Sequence, residues 1–157
     1  MKKYFWLVFC ISLGPTLSLA QLTGKVIAVA DGDTFTLLQD NTQTRIRLHG
    51  IDCPEKGQDF STVAKEFLSR LVFSKSVTVD VKDTDRYGRT IGIVHVHDSI
   101  VVNEALLKAG LAWHYRYYDK NPKWAKLEKA AREAKRNIWS LPDPVAPWDF
   151  RKAKAGK

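Results

Sequence analysis

Two hydrophobic periods divide the chain. Thr34 to Leu38 and Thr44 to Leu48 alternate polar and apolar side chains, which sets Phe35 with Leu37 on one face and Ile46 with Leu48 on another. Arg45, Arg47 and His49 fall on the opposite side of the second run, so Arg47 is predicted to point away from the core. Val26 to Val29 precedes them as a further strand, with Asp31-Gly32 as the turn pair between strands and a polar turn at Gln39 to Thr42. Val77, Val79 and Val81 alternate as a fourth strand, and Asp85-Arg86-Tyr87-Gly88 turns the chain into a fifth, Thr90 to Val96. Between the third and fourth strands the period changes. Phe60, Val63, Ala64, Phe67, Leu68, Leu71 and Val72 recur at helical spacing with Lys65, Glu66 and Arg70 opposite, the pattern of an amphipathic helix laid on a sheet.

Asn103 is expected to cap a short helix that runs through Ala109 and stops at Gly110. Asn121-Pro122 opens a last helix whose Trp124, Leu127, Ala131, Ala134 and Ile138 share a face. Beyond Trp139, three prolines between Leu141 and Pro147 and a basic end read as a tail. Five strands with a helix between the third and fourth is the order of an OB-type barrel, here in the class α+β, mainly β, with about three helices; such barrels bind oligonucleotides and oligosaccharides.

The first twenty residues follow neither period. Lys2 and Lys3 precede an apolar run from Tyr4 to Leu13, and Ser18-Leu19-Ala20 ends on small residues, the plan of a cleaved secretory signal. The run is about half of the ~20 residues that cross a bilayer. The expected organisation is a signal peptide at 1–20, one domain at 21–140, and a proline-containing basic tail at 141–157. A chain of 157 residues with two cysteines supports a single core without disulfide staples. Cys10 would leave with the signal, so Cys53 has no partner for an internal disulfide. The 25 Lys and Arg against 17 Asp and Glu, a net charge of +8, make polyanions the first class of partner, whether nucleic acid or anionic lipid.

Three short stretches carry candidate chemistry: Asp31-Gly32-Asp33-Thr34, then Arg45-Ile46-Arg47 through Asp52-Cys53-Pro54-Glu55, then Asp85 to Arg89. The first is no EF-hand, because counting Asp31 as position one puts Thr36 at the glycine position and Thr42 at the closing glutamate. Asp33, Asp52 and a backbone carbonyl beside Pro54 could share one hard cation with a phosphate oxygen. Glu55 is then near enough to act on water, and Arg47 with Arg89 could clamp the phosphate. The same five residues also read as surface charges paired across a sheet.

The order and spacing of these pieces resemble the staphylococcal nuclease family. The resemblance runs from about Gly24 to Trp139 and includes Asp-Gly-Asp-Thr, Arg-x-x-x-Ile-Asp-x-Pro-Glu, Asp-x-Tyr-Gly-Arg, Val-Asn-Glu-Ala-Leu and Asn-Ile-Trp. It implies Ca²⁺ held by Asp33, Asp52 and the backbone carbonyl of Cys53, a catalytic trio of Arg47, Glu55 and Arg89, and a monomer. The implied reaction is hydrolysis of DNA and RNA with little sequence preference, leaving 3′-phosphate ends. Tyr87, Tyr115 and Tyr118 are candidates to stack on bases, with Arg86 on phosphate, although core packing competes for some of these rings. His95 and His97 lack a third ligand and read as a polar strand face. A lone Cys53 also raises the reading of a reactive thiol. Two rivals remain: a non-catalytic OB-fold module for single-stranded nucleic acid, and a basic protein of the cell envelope.

Overall fold

The computed structural model describes residues 20–97 and 99–156, so the expected signal peptide lies almost wholly outside the described residues. The alternating runs form the strands β1 (Gln21–Val29), β2 (Thr34–Gln39), β3 (Thr42–Leu48), β5 (Ser76–Thr84) and β6 (Thr90–Val96), with the two-residue β4 (Ile51–Asp52), β7 (Ile100–Val101) and β8 (Trp113–His114) attached. The helical stripe becomes α1 (Ser61–Val72), followed by α2 (Val102–Ala109), α3 (Pro122–Glu133), a 3-10 turn at Asn137–Ser140 and α4 (Pro147–Ala155).

Strand order is β3-β2-β1-β5-β6, and β3 pairs in parallel with β6, which closes the sheet on itself. The result is the expected OB-type barrel, with the closing register at Ile46↔Thr90, Arg47↔Ile91 and Leu48↔Gly92. Its interior takes the alternate residues the sequence marks: Phe35, Leu37, Ile46, Leu48, Val77 and Val79 are all buried. Helix α1 covers one barrel opening through Ala64, Leu68 and Val72; Val63, on the edge of the stripe, stays exposed.

Helix α3 ends at Glu133, short of the face expected to run to Ile138: Ala134 is exposed, and Ile138 is buried from the 3-10 turn instead. Two further elements differ from expectation. Asn103 does not cap α2; Val101 stands at that position, and Asn103 sits inside the helix with its side chain fully buried. Its Oδ1 accepts from the Val94 amide at 3.1 Å and its Nδ2 donates to the His49 carbonyl at 2.9 Å. The polar side chain is thus a tie between α2 and the barrel, the usual way a buried amide is satisfied. Second, the segment read as a tail contains a fourth helix. Pro147 at its first turn fixes a helical φ, Asp149 lies in the first turn, and Lys152 and Lys154 lie in the last, in line with the helix dipole. Trp148 stacks on Tyr115 at 4.8 Å between ring centroids, which docks α4 beside β8.

Among the described residues, no helix is long and apolar enough to cross a membrane.

Candidate functional site

The turn between β1 and β2 holds Asp33, which is only 4% exposed. Its amide donates to Asp31 Oδ1 at 3.0 Å, an Asx-type turn that fixes the loop. Gly32 in that loop lies so close to Cys53 and Ala64 that a Cβ would come within 2.8 Å of both side chains, so the approach of the turn to Cys53 and to helix α1 requires glycine. The Asp33 carbonyl accepts from the Leu48 amide at 2.9 Å, joining the turn to the end of β3. Arg47 lies on β3 with its side chain outside the barrel, as the alternation predicts. Its Nη1 donates to Asp33 Oδ1 at 3.1 Å and its Nη2 to Asp52 Oδ1 at 2.7 Å.

Asp52 is fully buried, placed by the β4–β8 pairing opposite Trp113. Asp33 Oδ2 accepts from the Cys53 amide at 3.1 Å, so the group of Cys53 that meets Asp33 is its N–H. The Cys53 thiol donates to the Gly32 carbonyl at 3.3 Å, and burial, aided by the nearby aspartates, raises its pKa well above the usual thiol value. A buried, hydrogen-bonded thiol held in its protonated form does not fit the reactive-cysteine reading.

Burial also raises the Asp33 carboxyl, although Arg47, the Cys53 amide and the Thr34 hydroxyl pull the other way. Burial works against the charge on Arg47, but Asp33 and Asp52 outweigh it and raise its pKa further. This is a low-dielectric cluster in which each carboxylate is tied to a guanidinium, the condition under which buried charges persist.

Glu55 follows at the rim. Its amide donates to Gln58 Oε1 at 2.8 Å, and its carboxylate meets Arg151 of α4, whose Nη2 also reaches Asp52 Oδ2 at 2.8 Å. Asp33, Arg47, Asp52, Cys53 and Glu55 therefore converge. Arg89 is not joined to them by any ion pair among the described residues; its Nε donates to Asp85 Oδ2 at 2.7 Å, in the turn leading into β6. Because Thr90 stands opposite Ile46, that turn lies beside the strand that carries Arg47. Asp85 also accepts from the amides of Tyr87 and Arg89, and these bonds, working against desolvation, lower its pKa.

The aromatic candidates split. Tyr87 is 70% exposed with the Arg86 guanidinium 4.9 Å from its ring centre, and Tyr118 is 63% exposed. Both are open to a base. Tyr115 is instead held between Tyr118 and Trp148. With Trp148 and the Lys126, Lys129 and Arg132 side of α3, it lines an open groove of about 800 Å³. His95 bonds Asp80 at 2.9 Å, as a polar strand face would.

The residues sequence reasoning missed are Arg151 and Trp148. A signal for them existed: proline followed by an early acid and late lysines is a helix start, overlooked because three prolines nearby suggested a tail.

Among the described residues, no group of three or more His, Cys, Asp or Glu is arranged to hold a metal by side chains alone. The donor chemistry nevertheless fits a hard cation. Asp33 and Asp52 are buried carboxylates that share one guanidinium, so a positive charge is already bridged between them, and Ca²⁺ completes its shell with carbonyl, water and phosphate oxygens.

Comparison with known proteins matches residues 45–141 to the model of the staphylococcal nuclease homologue family. The chain is 42% identical over 154 residues to an uncharacterized endonuclease of Escherichia coli, covering 98% of this chain and all of that protein. It is 41% identical over 143 residues to the protein ParB of Escherichia coli, covering 85% of this chain and 81% of that one. To the micrococcal nuclease of Shigella flexneri it is 37% identical over 144 residues, covering 85% and 83% respectively.

Proposed function

The chain belongs to the staphylococcal nuclease homologue family, and on that premise we propose that it is a secreted or periplasmic, calcium-dependent nuclease. It hydrolyses phosphodiester bonds of DNA and RNA with little sequence preference, acts as a monomer and leaves 3′-phosphate ends. The observation that carries this reading is the convergence of Asp33, Arg47, Asp52 and Glu55 at one rim of the barrel.

Asp33, Asp52 and the Cys53 carbonyl would hold the calcium, which supplies positive charge to the phosphate as negative charge builds on its oxygens. Glu55 lies at the rim, where its carboxylate takes or orients a proton of the attacking water. A bond forms from the water oxygen to phosphorus while the bond from phosphorus to the 5′-oxygen breaks, giving a 3′-phosphate and a 5′-hydroxyl. Arg47 exchanges part of its carboxylate bonding for phosphate oxygens, a bidentate contact suited to a guanidinium. Arg89, released from Asp85, adds a second donor and aids the departing oxygen. Tyr87, Tyr118 and Arg86 offer sequence-tolerant contacts to bases and backbone, in keeping with low specificity.

Plasmid DNA and RNA incubated in calcium, then in a chelator, test the reading. Degradation is expected only in calcium and is lost in Glu55→Gln and Arg89→Ala. Equal degradation in the chelator contradicts it, and single-strand binding without cleavage under every metal selects the OB-module rival.

A further inference from the structure

Helix α4 delivers one side chain into the carboxylate cluster. Arg151 Nη2 donates to Asp52 Oδ2 at 2.8 Å, and Nη1 meets Glu55 Oε1 at 2.5 Å and Asp52 Oδ1 at 3.3 Å. Both oxygens of Asp52 are then engaged, Oδ1 by Arg47 and Arg151 and Oδ2 by Arg151. Burial would lower the Arg151 pKa, but its bonds to Asp52 and Glu55 raise it.

The two arginines are held differently. Arg47 belongs to a barrel strand, its side chain is 19% exposed, and it bridges Asp33 to Asp52. Arg151 is 41% exposed and comes from the last helix, which is joined to the domain by the proline-containing stretch 141–146. Helix α4 can lift away without disturbing a barrel strand, whereas the backbone that carries Arg47 is part of the barrel itself.

We propose that Arg151 is a tethered cation that competes with the divalent ion for Asp52 while pairing with Glu55 beside it, so that metal entry requires its withdrawal. The identity of the ion rests on the calcium reading above. Calcium bonds carboxylate oxygens at about 2.3–2.6 Å. An ion at that range and a guanidinium nitrogen at 2.8 Å on the same Asp52 oxygen would stand a few ångströms apart, like charges in a poorly screened site. The same arginine pairs with Glu55 Oε1. Its withdrawal therefore frees Asp52 for the ion and one Glu55 oxygen together, and ion binding is coupled to movement of α4.

Isothermal titration of calcium into the protein measures the competition directly. Arg151→Gln is expected to bind calcium about tenfold more tightly than the parent, about 1.4 kcal/mol. Arg151→Lys, whose single ammonium cannot bridge both carboxylates, is expected to fall between them. If the glutamine variant does not fold, the lysine variant decides alone. Affinity unchanged or weakened in the variant overturns the proposal, as does absence of calcium binding in every form. The nuclease reading is decided separately, by degradation of plasmid and RNA.

Discussion

Asp33 departs from an ordinary surface aspartate in its burial and in its partners. Its folded pKa lies above the usual carboxylate value because burial penalises the charge, so the folded state holds its proton more tightly than the unfolded state. That preference favours folding below the ordinary carboxylate range and is lost as the pH rises through the raised value. Relative to the parent, Asp33→Asn is therefore expected to be more stable at neutral pH than at pH 3, where the parent carboxyl is itself protonated, and to lose calcium binding. Urea unfolding of both proteins at the two pH values checks the direction. Cys53 makes a second test at this scale. Its thiol is buried and bonded to the Gly32 carbonyl, so mass spectrometry should find it unmodified by iodoacetamide in the native protein and alkylated in denaturant. Sequence identified both residues but not their environments. That Cys53 presents its N–H to Asp33, or that Arg89 rests on Asp85, depends on backbone direction and rotamer rather than on spacing.

The elements were legible where the apolar period was strong. The five long strands and α1 follow the alternation and the helical stripe, since a one-residue slip would turn Phe35, Leu37, Ile46 and Leu48 out of the barrel. The cap at Asn121 was also legible, its Oδ1 accepting from the Lys123 amide at 2.9 Å. The role of Asn103 was not, because a capping residue and a buried tie use the same side chain, and only the tertiary partners distinguish them. Asn103→Ala leaves the Val94 amide and the His49 carbonyl without their side-chain partner. Denaturant unfolding is expected to show a loss of about 3 kcal/mol, against a few tenths for an exposed substitution such as Lys129→Ala. Helix α4 escaped notice for another reason: its docking rests on Pro147, Trp148 and Arg151, too few residues to make a periodic stripe.

At the scale of the whole molecule, the net charge of +8, of which Lys2 and Lys3 in the expected signal contribute two, leaves a basic domain with a long-range attraction to polyanions that the rim residues convert into chemistry. Binding of Glu55→Gln to single-stranded DNA in calcium should weaken steeply with salt, log Kd rising linearly with log salt concentration, as displaced counterions require. A flat dependence would mean the basic surface does not take part. Secretion has its own measurement: sequencing the exported protein should give Gln21 as the first residue, and an intact Met1 on a membrane-bound chain would contradict cleavage. The central claim is that one rim of the barrel hydrolyses phosphodiesters with Glu55 at the water and calcium at the paired aspartates. Single-turnover cleavage of a short end-labelled oligonucleotide tests it most directly. The expected result is a 3′-phosphate product formed only in calcium, with the rate in Glu55→Gln lower by about 10²-fold or more and oligonucleotide binding retained; cleavage at parental rate by Glu55→Gln, or in excess chelator, would contradict it.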